Sequence, residues 1–290
     1  MESFQRIAIT GKPNDSAVTD TIGRLVERLE SLGRTVHVDS TLALEGSTAD
    51  DTLAALSPVI DLLIVVGGDG TLLHAAKTVA EHDVPVLGVN RGRLGFLVDV
   101  SPERFDEIEV VIDGAMTIEE RLMLEARVRV ADRVVAEAPA LNDVVLQKWN
   151  TSRMLEFETW IDGEPCNRHR SDGLIISTPT GSTAYALSGG GPIMHPGIHA
   201  MALVPVCPHT LSNRPLVISA DSRVEVRVAP EHIHQVHVSG DGQTDLTLED
   251  GARAEIVASP HRLRLVHPPG HRYFDILRAQ LRRGDGAAPC

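Results

Sequence analysis

Apolar and polar positions follow two different periods in the first 116 residues of the chain. Short apolar runs rich in β-branched residues predict strands at residues 6–10, 35–38, 61–66 and 84–89. Apolar side chains three or four positions apart predict helices at residues 18–32, 53–56, 71–80 and 102–113. The run DLLIVV at 61–66 is apolar throughout, as in a central parallel strand covered on both faces. Alternating strands and helices predict βαβ units and a parallel α/β sheet.

The pattern changes after Met116. Runs such as LEARVRV, LEFETWIDG, DGLIIST and HRLRLVH have strand character and are separated by turn residues, which predicts a mainly antiparallel β region. The run HIHQVH is interpreted as a solvated strand, because His232 and His234 would share one face and His237 would point away, which does not favour zinc. Helical spacing returns in YFDILRAQLRR near the end of the chain.

The composition is that of a globular protein. Of the 290 residues, 42% are hydrophobic and 23% are charged, so a sizeable core can be buried. No apolar run approaches the roughly 18 to 20 residues of a membrane span, and MESFQRIAIT lacks the plan of a secretory signal. The three cysteines are an odd count without close pairing, which argues against a disulfide framework. We therefore expect a cytoplasmic protein without a membrane partner.

The charge limits how a phosphorylated ligand could be bound. The net charge is −13 and no run of Lys or Arg occurs, which argues against nucleic acid as a partner. No G-x-x-x-x-G-K-[ST] sequence is present, and Gly68-x-Gly70 lacks the third glycine of a dinucleotide fingerprint. Backbone amides, single basic groups or metal ions must therefore hold any phosphate.

Asp69 stands between glycines in the sequence GGDGT, at the predicted carboxyl end of the apolar strand. Ligands of open α/β sheets bind at such strand ends, and the amides at the start of the following helix favour phosphate. The alternative is a plain strand-to-helix turn in which Asp69 is only the helix cap.

Two more glycine-containing segments are candidate ligand loops. NRGRLGFL at residues 90–97 follows the next predicted strand. The alternative to a ligand loop is a plain connection whose apolar side chains pack into the core. RSDGLIISTPTGSTAYALSGGGPIMHP at residues 170–196 is rich in hydroxyl groups and glycine, which suits phosphates and ribose. Its alternative is a long flexible surface loop.

Taken in order, these segments resemble the NAD kinase family. The resemblance covers roughly residues 6–277 and includes NDVVL, PVCPHTLSNRPLV and DGQ besides the three loops. It implies transfer of the γ-phosphate of ATP to the 2′-hydroxyl of the adenosine ribose of NAD. It also implies a divalent cation (Mg²⁺, with Mn²⁺ as the alternative) and a homodimer or homotetramer.

The same resemblance implies the architecture. We expect a Rossmann-like α/β nucleotide-binding domain at residues 1–117 and a mainly β, sandwich-like NAD-binding domain at 118–268. A C-terminal helix and a mobile tail follow at 269–290, with the helix packed back on the first domain.

Site residues are carried over from the family's motifs position by position. Asp69 matches the acid that serves either as general base or as organiser of the metal and the ribose hydroxyl. The other positions match dinucleotide contacts: Gly70, His74, Asn142, Asp143, Arg153, Arg170, Asp172, Thr183, Ala184, Tyr185, Ala186, Leu187, Ser188 and Gln243. No residue is assigned as a metal ligand.

Two other functions remain open at this stage. A lipid kinase of the diacylglycerol or sphingosine type shares GGDGT, but it is expected to carry a basic or apolar membrane-binding patch. A non-catalytic dinucleotide sensor would keep the binding segments and lose the acid, whereas Asp69 is present.

Overall fold

The protein is described by a computed structural model that covers residues 3–42, 51–91, 95–98, 100–209 and 213–284. Its contacts divide the chain into two compact units. Unit 1 comprises the residues up to Glu120 and those from Leu263 onwards, and unit 2 comprises Arg121–Arg262. Parts of the segments discussed above, at 92–94, 210–212 and 285–290, lie outside the described residues.

Unit 1 contains a parallel sheet with helices between its strands. Its elements before residue 117 are β1 (Arg6–Gly11), α1 (Ser16–Ser31), β2 (Thr35–Val38), α2 (Leu53–Leu56), β3 (Leu62–Gly67), α3 (Asp69–Val79), β4 (Val86–Asn90) and α4 (Phe105–Ile112), with 3₁₀ turns at Ser40–Leu42 and Ala80–His82. The strands pair in parallel in the order β2-β1-β3-β4. All six residues of β3 are buried, as predicted for a central strand.

Helix α1 shows how apolar residues at helical spacing form one face that packs against the sheet. The Asp15 side chain accepts from the amides of Ala17 and Val18 and thereby caps the first turn. An apolar stripe of Val18, Ile22, Leu25 and Leu29 is 1% exposed at each position and packs in the core with residues of β1 and β3. Burial of each such side chain contributes about 1.5–3 kcal/mol.

The remainder of the chain is mainly β. Its elements are β5 (Thr117–Val130), β6 (Arg133–Ala140), β7 (Asp143–Lys148), β8 (Leu155–Ile161), β9 (Glu164–Ser171), β10 (Gly173–Ser177), α5 (Tyr185–Ser188), β11 (Ala200–Val206), β12 (Leu216–Ser219), β13 (Val224–Val228), β14 (Val236–Gly240), β15 (Thr244–Thr247), β16 (Ala252–His267) and α6 (Tyr273–Gly284), with 3₁₀ turns at Gly181–Thr183 and Pro230–Gln235.

Unit 2 is built from antiparallel strands around one large apolar core. Six of them form a sheet in the order β12-β11-β10-β7-β14-β15, and β13 pairs antiparallel with β8 and with β16. Leu146, Phe157, Leu174 and Val238 are among the buried residues of the core.

The predicted fold class is confirmed. The first part of the chain forms a parallel α/β sheet, and the second part is mostly antiparallel β. The C-terminal end of β16 pairs in parallel with β4 through Leu265 and Val266, so the chain re-enters unit 1 before α6 begins. The predicted limits 1–117, 118–268 and 269–290 stay a prediction about which segments form separate domains.

The strand interpretation of HIHQVH is wrong at its start. His232 and His234 lie in the 3₁₀ turn Pro230–Gln235, and only from Val236 onwards is the chain a strand. Pro230 begins this turn, and a proline lacks the amide donor that a strand ladder requires. His237 on β14 stacks on Trp149, with 4.2 Å between ring centroids. In the part of the chain that the structure describes, no helix combines the length and apolar character needed to cross a membrane.

Candidate active site

Asp69 lies where the central strand of unit 1 meets the following helix. β3 ends at Gly67, Gly68 is the cap of α3, and Asp69 is the first helical residue, two positions before the predicted helix start. A side chain that caps a helix belongs at the position before it, and this helix has no side-chain cap. The interpretation of Asp69 as a turn-forming cap is therefore wrong.

The Asp69 carboxylate instead accepts three backbone hydrogen bonds from the segment after β4. The amide of Phe96 donates to Oδ2 over 2.8 Å, and those of Leu97 and Val98 donate to Oδ1 over 3.1 and 3.2 Å. Charge-assisted hydrogen bonds are short and directional, so these amides fix the orientation of the carboxylate. Oδ2 accepts one amide and Oδ1 accepts two, which leaves Oδ2 more capacity for a further donor.

Gly95 explains why this segment contains a glycine next to the acid. A Cβ atom at Gly95 would lie 2.0 Å from Oδ1 of Asp69, a separation that no side chain can adopt. The glycine therefore permits the close approach of the backbone to Asp69. The sequence predicts that this segment lies beside the Asp69 loop at the same edge of the sheet, but it does not predict that its amides bind the Asp69 carboxylate.

The two other predicted positions of unit 1 lie on the same helix. Gly70 follows Asp69 directly, and His74 lies one helical turn beyond it; both residues are exposed. Both positions are therefore accessible to a ligand at this end of α3.

In unit 2, a cavity of about 310 Å³ brings several predicted residues together. Its lining contains four of the predicted positions, Asn142, Asp143, Ala184 and Tyr185. The other lining residues are Val145, Gln147, Ser239, Asp241 and Gly242. The cavity thus lies where the start of β7, the start of α5 and the β14–β15 turn meet.

Gly181 lets the hydroxyl-rich segment approach Asn142. A Cβ atom at Gly181 would lie 2.1 Å from the carbonyl oxygen of Asn142, so only glycine fits there. The Thr178 amide donates to the same carbonyl over 2.9 Å, and the Thr178 hydroxyl donates to that of Leu141. This contact places the Asn142 backbone against the turn that leads into α5.

Several hydroxyl groups of this segment hydrogen-bond to the protein itself. Ser182 donates to the carbonyl of Pro179 over 2.6 Å, and Thr183 donates to that of Thr180 over 3.3 Å. These bonds hold the backbone in its 3₁₀ turn. The part of the segment around this turn is thus buried and hydrogen-bonded, which argues against the flexible surface loop considered as its alternative.

Asp143 is the buried titratable group of the cavity. Its residue is 6% exposed, and burial together with the nearby Asp241 carboxylate raises its pKa to about 7. Burial is the larger cause, because an ionised carboxylate loses its hydration there. Near neutral pH Asp143 therefore exists in both protonation states.

The remaining predicted residues of unit 2 lie outside the described lining of this cavity. Asp172 forms an ion pair with Lys148 over 2.7 Å, and exposed Arg170 lies 3.6 Å from Glu156. The Ala186 side chain is fully buried in an apolar cluster, so a ligand could meet only its backbone. The other predicted positions outside it are Arg153, Thr183, Leu187, Ser188 and Gln243, and all except half-buried Thr183 are exposed.

One group of potential metal ligands occurs among the described residues. In unit 1, Nε2 of His267 and Nε2 of His271 lie 3.8 and 3.7 Å from carboxylate oxygens of Glu119. The two rings stack, with 3.6 Å between centroids and 19° between planes. Each imidazole nitrogen directs its lone pair within the plane of its own ring. One ion therefore could not lie along the lone pairs of both stacked rings. We therefore assign no metal to this group.

The structure combines a parallel α/β sheet, of the class that binds nucleotides at the carboxyl ends of its strands, with an acid fixed at that end of a central strand. Two family models match the chain: the ATP-NAD kinase N-terminal domain matches residues 7–116, and the ATP-NAD kinase C-terminal domain matches residues 141–268. The chain belongs to the NAD kinase family.

Curated relatives match over nearly their whole length. The chain is 52% identical over 287 residues to the NAD kinase of Halorhodospira halophila, covering 96% of this chain and 93% of that protein. It is 46% identical to the NAD kinase of Pseudomonas putida (strain W619), covering 97% of this chain and 96% of that protein.

Solved structures agree with this assignment. Yeast NADH kinase complexed with NADH has a TM-score of 0.88 at 26% identity and covers 100% of this chain and 90% of that one. An NAD kinase from Archaeoglobus fulgidus in complex with ATP has a TM-score of 0.76 at 26% identity, covering 96% and 99%. The lipid kinase and the non-catalytic sensor are not favoured by these matches.

Proposed function

We propose that this enzyme transfers the γ-phosphate of ATP to the 2′-hydroxyl of the adenosine ribose of NAD, giving NADP and ADP. The observation that carries the proposal is the Asp69 carboxylate, fixed by three amides at the carboxyl end of β3. In the reaction, a bond forms between O2′ and the γ-phosphorus while the bond from that phosphorus to the ADP oxygen breaks. The proton of the hydroxyl needs an acceptor.

Asp69 is proposed as that acceptor. A secondary alcohol is a poor nucleophile, and a carboxylate within hydrogen-bond reach both orients it and takes its proton. Oδ2 is the oxygen for this task because it accepts a single amide. The alternative role of Asp69 is to organise the metal and the hydroxyl without taking the proton, and Asp69→Asn should reduce activity under either role.

The dinucleotide contacts are proposed in two sets. Asn142, Asp143, Ala184 and Tyr185 line the 310 Å³ cavity of unit 2, which supports a direct contact with NAD. The remaining carried-over positions are proposed as contacts on the resemblance alone: Gly70, His74, Arg153, Arg170, Asp172, Thr183, Ala186, Leu187, Ser188 and Gln243.

A divalent cation, Mg²⁺ or Mn²⁺, is proposed as the partner of ATP. Mg²⁺ prefers oxygen ligands and is usually held by substrate phosphates, waters and one or two carboxylates, so a dedicated protein cage is not required. The Asp69 carboxylate fits such a donor set. When bound, the cation would neutralise charge on the transferred phosphoryl group. A homodimer or homotetramer in the cytoplasm completes the proposal.

The test is a coupled assay on wild-type protein and the Asp69→Asn variant. Protein, ATP, Mg²⁺ and NAD are incubated, and NADP is measured with an NADP-specific dehydrogenase. We expect the wild type to form NADP and the variant to lose roughly 10²–10⁴-fold in kcat, because an amide can orient the hydroxyl but cannot take its proton. Circular dichroism and NAD binding without ATP serve as folding controls.

Each result has a defined meaning. If a folded Asp69→Asn variant keeps full activity, Asp69 is not the proton acceptor. If the wild type binds NAD and forms no NADP, the proposed activity is wrong. Removal of divalent cations with EDTA should abolish NADP formation, and added Mg²⁺ or Mn²⁺ should restore it.

A further inference from the structure

Asp241, in the turn between β14 and β15, carries a second set of amide contacts that the motifs did not indicate. We propose that Asp241 is a positioning residue of the dinucleotide site, which holds the backbone at Asn142 and Asp143 so that their side chains face NAD. The inference deepens the proposed function and rests on it for the identity of the ligand.

The contacts join two turns that are distant in sequence. Oδ1 of Asp241 accepts from the amides of Asn142 and Asp143 over 2.8 and 3.2 Å, and Oδ2 accepts from that of Leu141 over 3.0 Å. In return, the Asp241 amide donates to the carbonyl of Asp143 over 2.9 Å. A single carboxylate therefore binds three consecutive amides at the start of β7.

The turn that carries Asp241 is suited to this arrangement. Asp241 and Gly242 have φ values of +52° and +62°, and the Gln243 amide donates to the Gly240 carbonyl over 3.0 Å. Two left-handed residues at the centre are the mark of a type I′ hairpin turn, which favours Asp-Gly and Asn-Gly. Asparagine therefore keeps the turn, while it removes the charge and one of the two acceptor oxygens.

The Asp241 charge also acts on the buried acid of the cavity. The negative charge of Asp241 adds to burial in raising the pKa of Asp143, and Tyr185 of α5 is the other titratable residue that lines the cavity. Removing the charge at Asp241 should therefore lower the pKa of Asp143. This effect tests whether the Asp241 charge acts inside the cavity, and the separate KM values for NAD and ATP distinguish a positioning role from general support of the fold.

The test compares Asp241→Asn with Asp245→Asn in the whole enzyme. Asp245 is an exposed residue of β15 in the same hairpin, so its substitution removes the same charge outside the cavity. The KM for NAD, the KM for ATP and kcat are measured, together with NAD affinity by calorimetry from pH 5 to 9 without ATP.

For Asp241→Asn we expect the KM for NAD to rise at least about tenfold, with the KM for ATP nearly unchanged, because a charge-assisted hydrogen bond is lost at the NAD site. The midpoint of the pH dependence of NAD affinity should move to lower pH. Asp245→Asn should match the wild type in the KM for NAD and in the midpoint of the pH dependence. An unchanged KM for NAD and an unchanged midpoint in a folded Asp241→Asn variant overturn the proposal, as does an equal rise in both KM values.

A measurement on the unmodified protein covers the case in which Asp241→Asn does not fold. Amide hydrogen exchange at Leu141, Asn142 and Asp143 should be slow in the wild type, and rapid exchange at all three overturns the proposal. If the wild type binds NAD but forms no NADP, only the proposed activity fails, and NAD affinity still tests Asp241.

Discussion

At the scale of single residues, Asp143 ties stability to pH. Its pKa is about 7 in the folded protein and about 4 when unfolded. The folded state thus binds the proton more tightly, so the contribution is fully present below pH 4 and is lost as pH rises through 7. Asp143→Asn should remove this loss and increase the free energy of unfolding at pH 8, relative to pH 5, by about 2–4 kcal/mol. Urea unfolding at both pH values measures it, and equal pH dependence in both proteins would contradict it.

His169 makes stability depend on pH in the opposite direction to Asp143. Burial lowers its pKa to about 4, and the neutral ring stacks on Phe157 and shares a hydrogen bond with the Thr159 hydroxyl over 3.0 Å. The unfolded state binds the proton more tightly, so stability is fully present above pH 6.5 and is lost as pH falls through 4. In the His169→Gln variant, we expect the free energy of unfolding to lose the part of its pH dependence between pH 4 and 6.5 that His169 causes. Unfolding curves at several pH values in that range test it, and an unchanged slope would exclude His169 as the source.

At the scale of structural elements, glycines decide how closely two segments can approach. Gly181→Ala should lower the free energy of unfolding by about 1–3 kcal/mol, because its Cβ would overlap the Asn142 carbonyl. Gly23→Ala is the matched control: it lies within α1 with open space around it, and it should stabilise the protein by about 0.5–1 kcal/mol. Denaturant titrations of both variants check the signs. A neutral Gly181→Ala would mean that the two backbones can move apart without cost.

Element types were predictable wherever one period dominated. The uniform apolar run of β3 and the stripe of α1 each allow a single interpretation. Residues 232–235 were misassigned as strand because a short, mostly polar 3₁₀ turn has no apolar period of its own. Boundaries shifted by up to three residues, and α3 begins two residues earlier than predicted because its cap is a glycine without a side-chain signal.

At the scale of the whole molecule, NAD should stabilise the folded chain by mass action. At a free concentration 100 times its dissociation constant, NAD adds about 2.7 kcal/mol, which raises the unfolding temperature by a few degrees. Differential scanning calorimetry with NAD and without ATP measures the shift. Diacylglycerol in mixed detergent micelles, compared with the detergent alone, is the control and should give none. A shift with the lipid and none with NAD would favour the lipid kinase.

The sequence by itself determined the order of strands and helices, the change from an α/β to a β pattern, and the place of Asp69 after a buried strand. These features depend on local period and on neighbouring residues, which a linear pattern records. The resemblance to a family added the remaining site positions, and the matches to relatives confirmed that family.

Only the tertiary structure decided what the two acids bind. Asp69 accepts from amides 27 to 29 residues away, and Asp241 accepts from amides 98 to 100 residues away. Every residue other than proline has such an amide. The residue types in the partner segment therefore do not reveal that a carboxylate binds its backbone. The glycines at 95 and 181 were visible in the sequence, but the contacts that require them exist only in the folded chain.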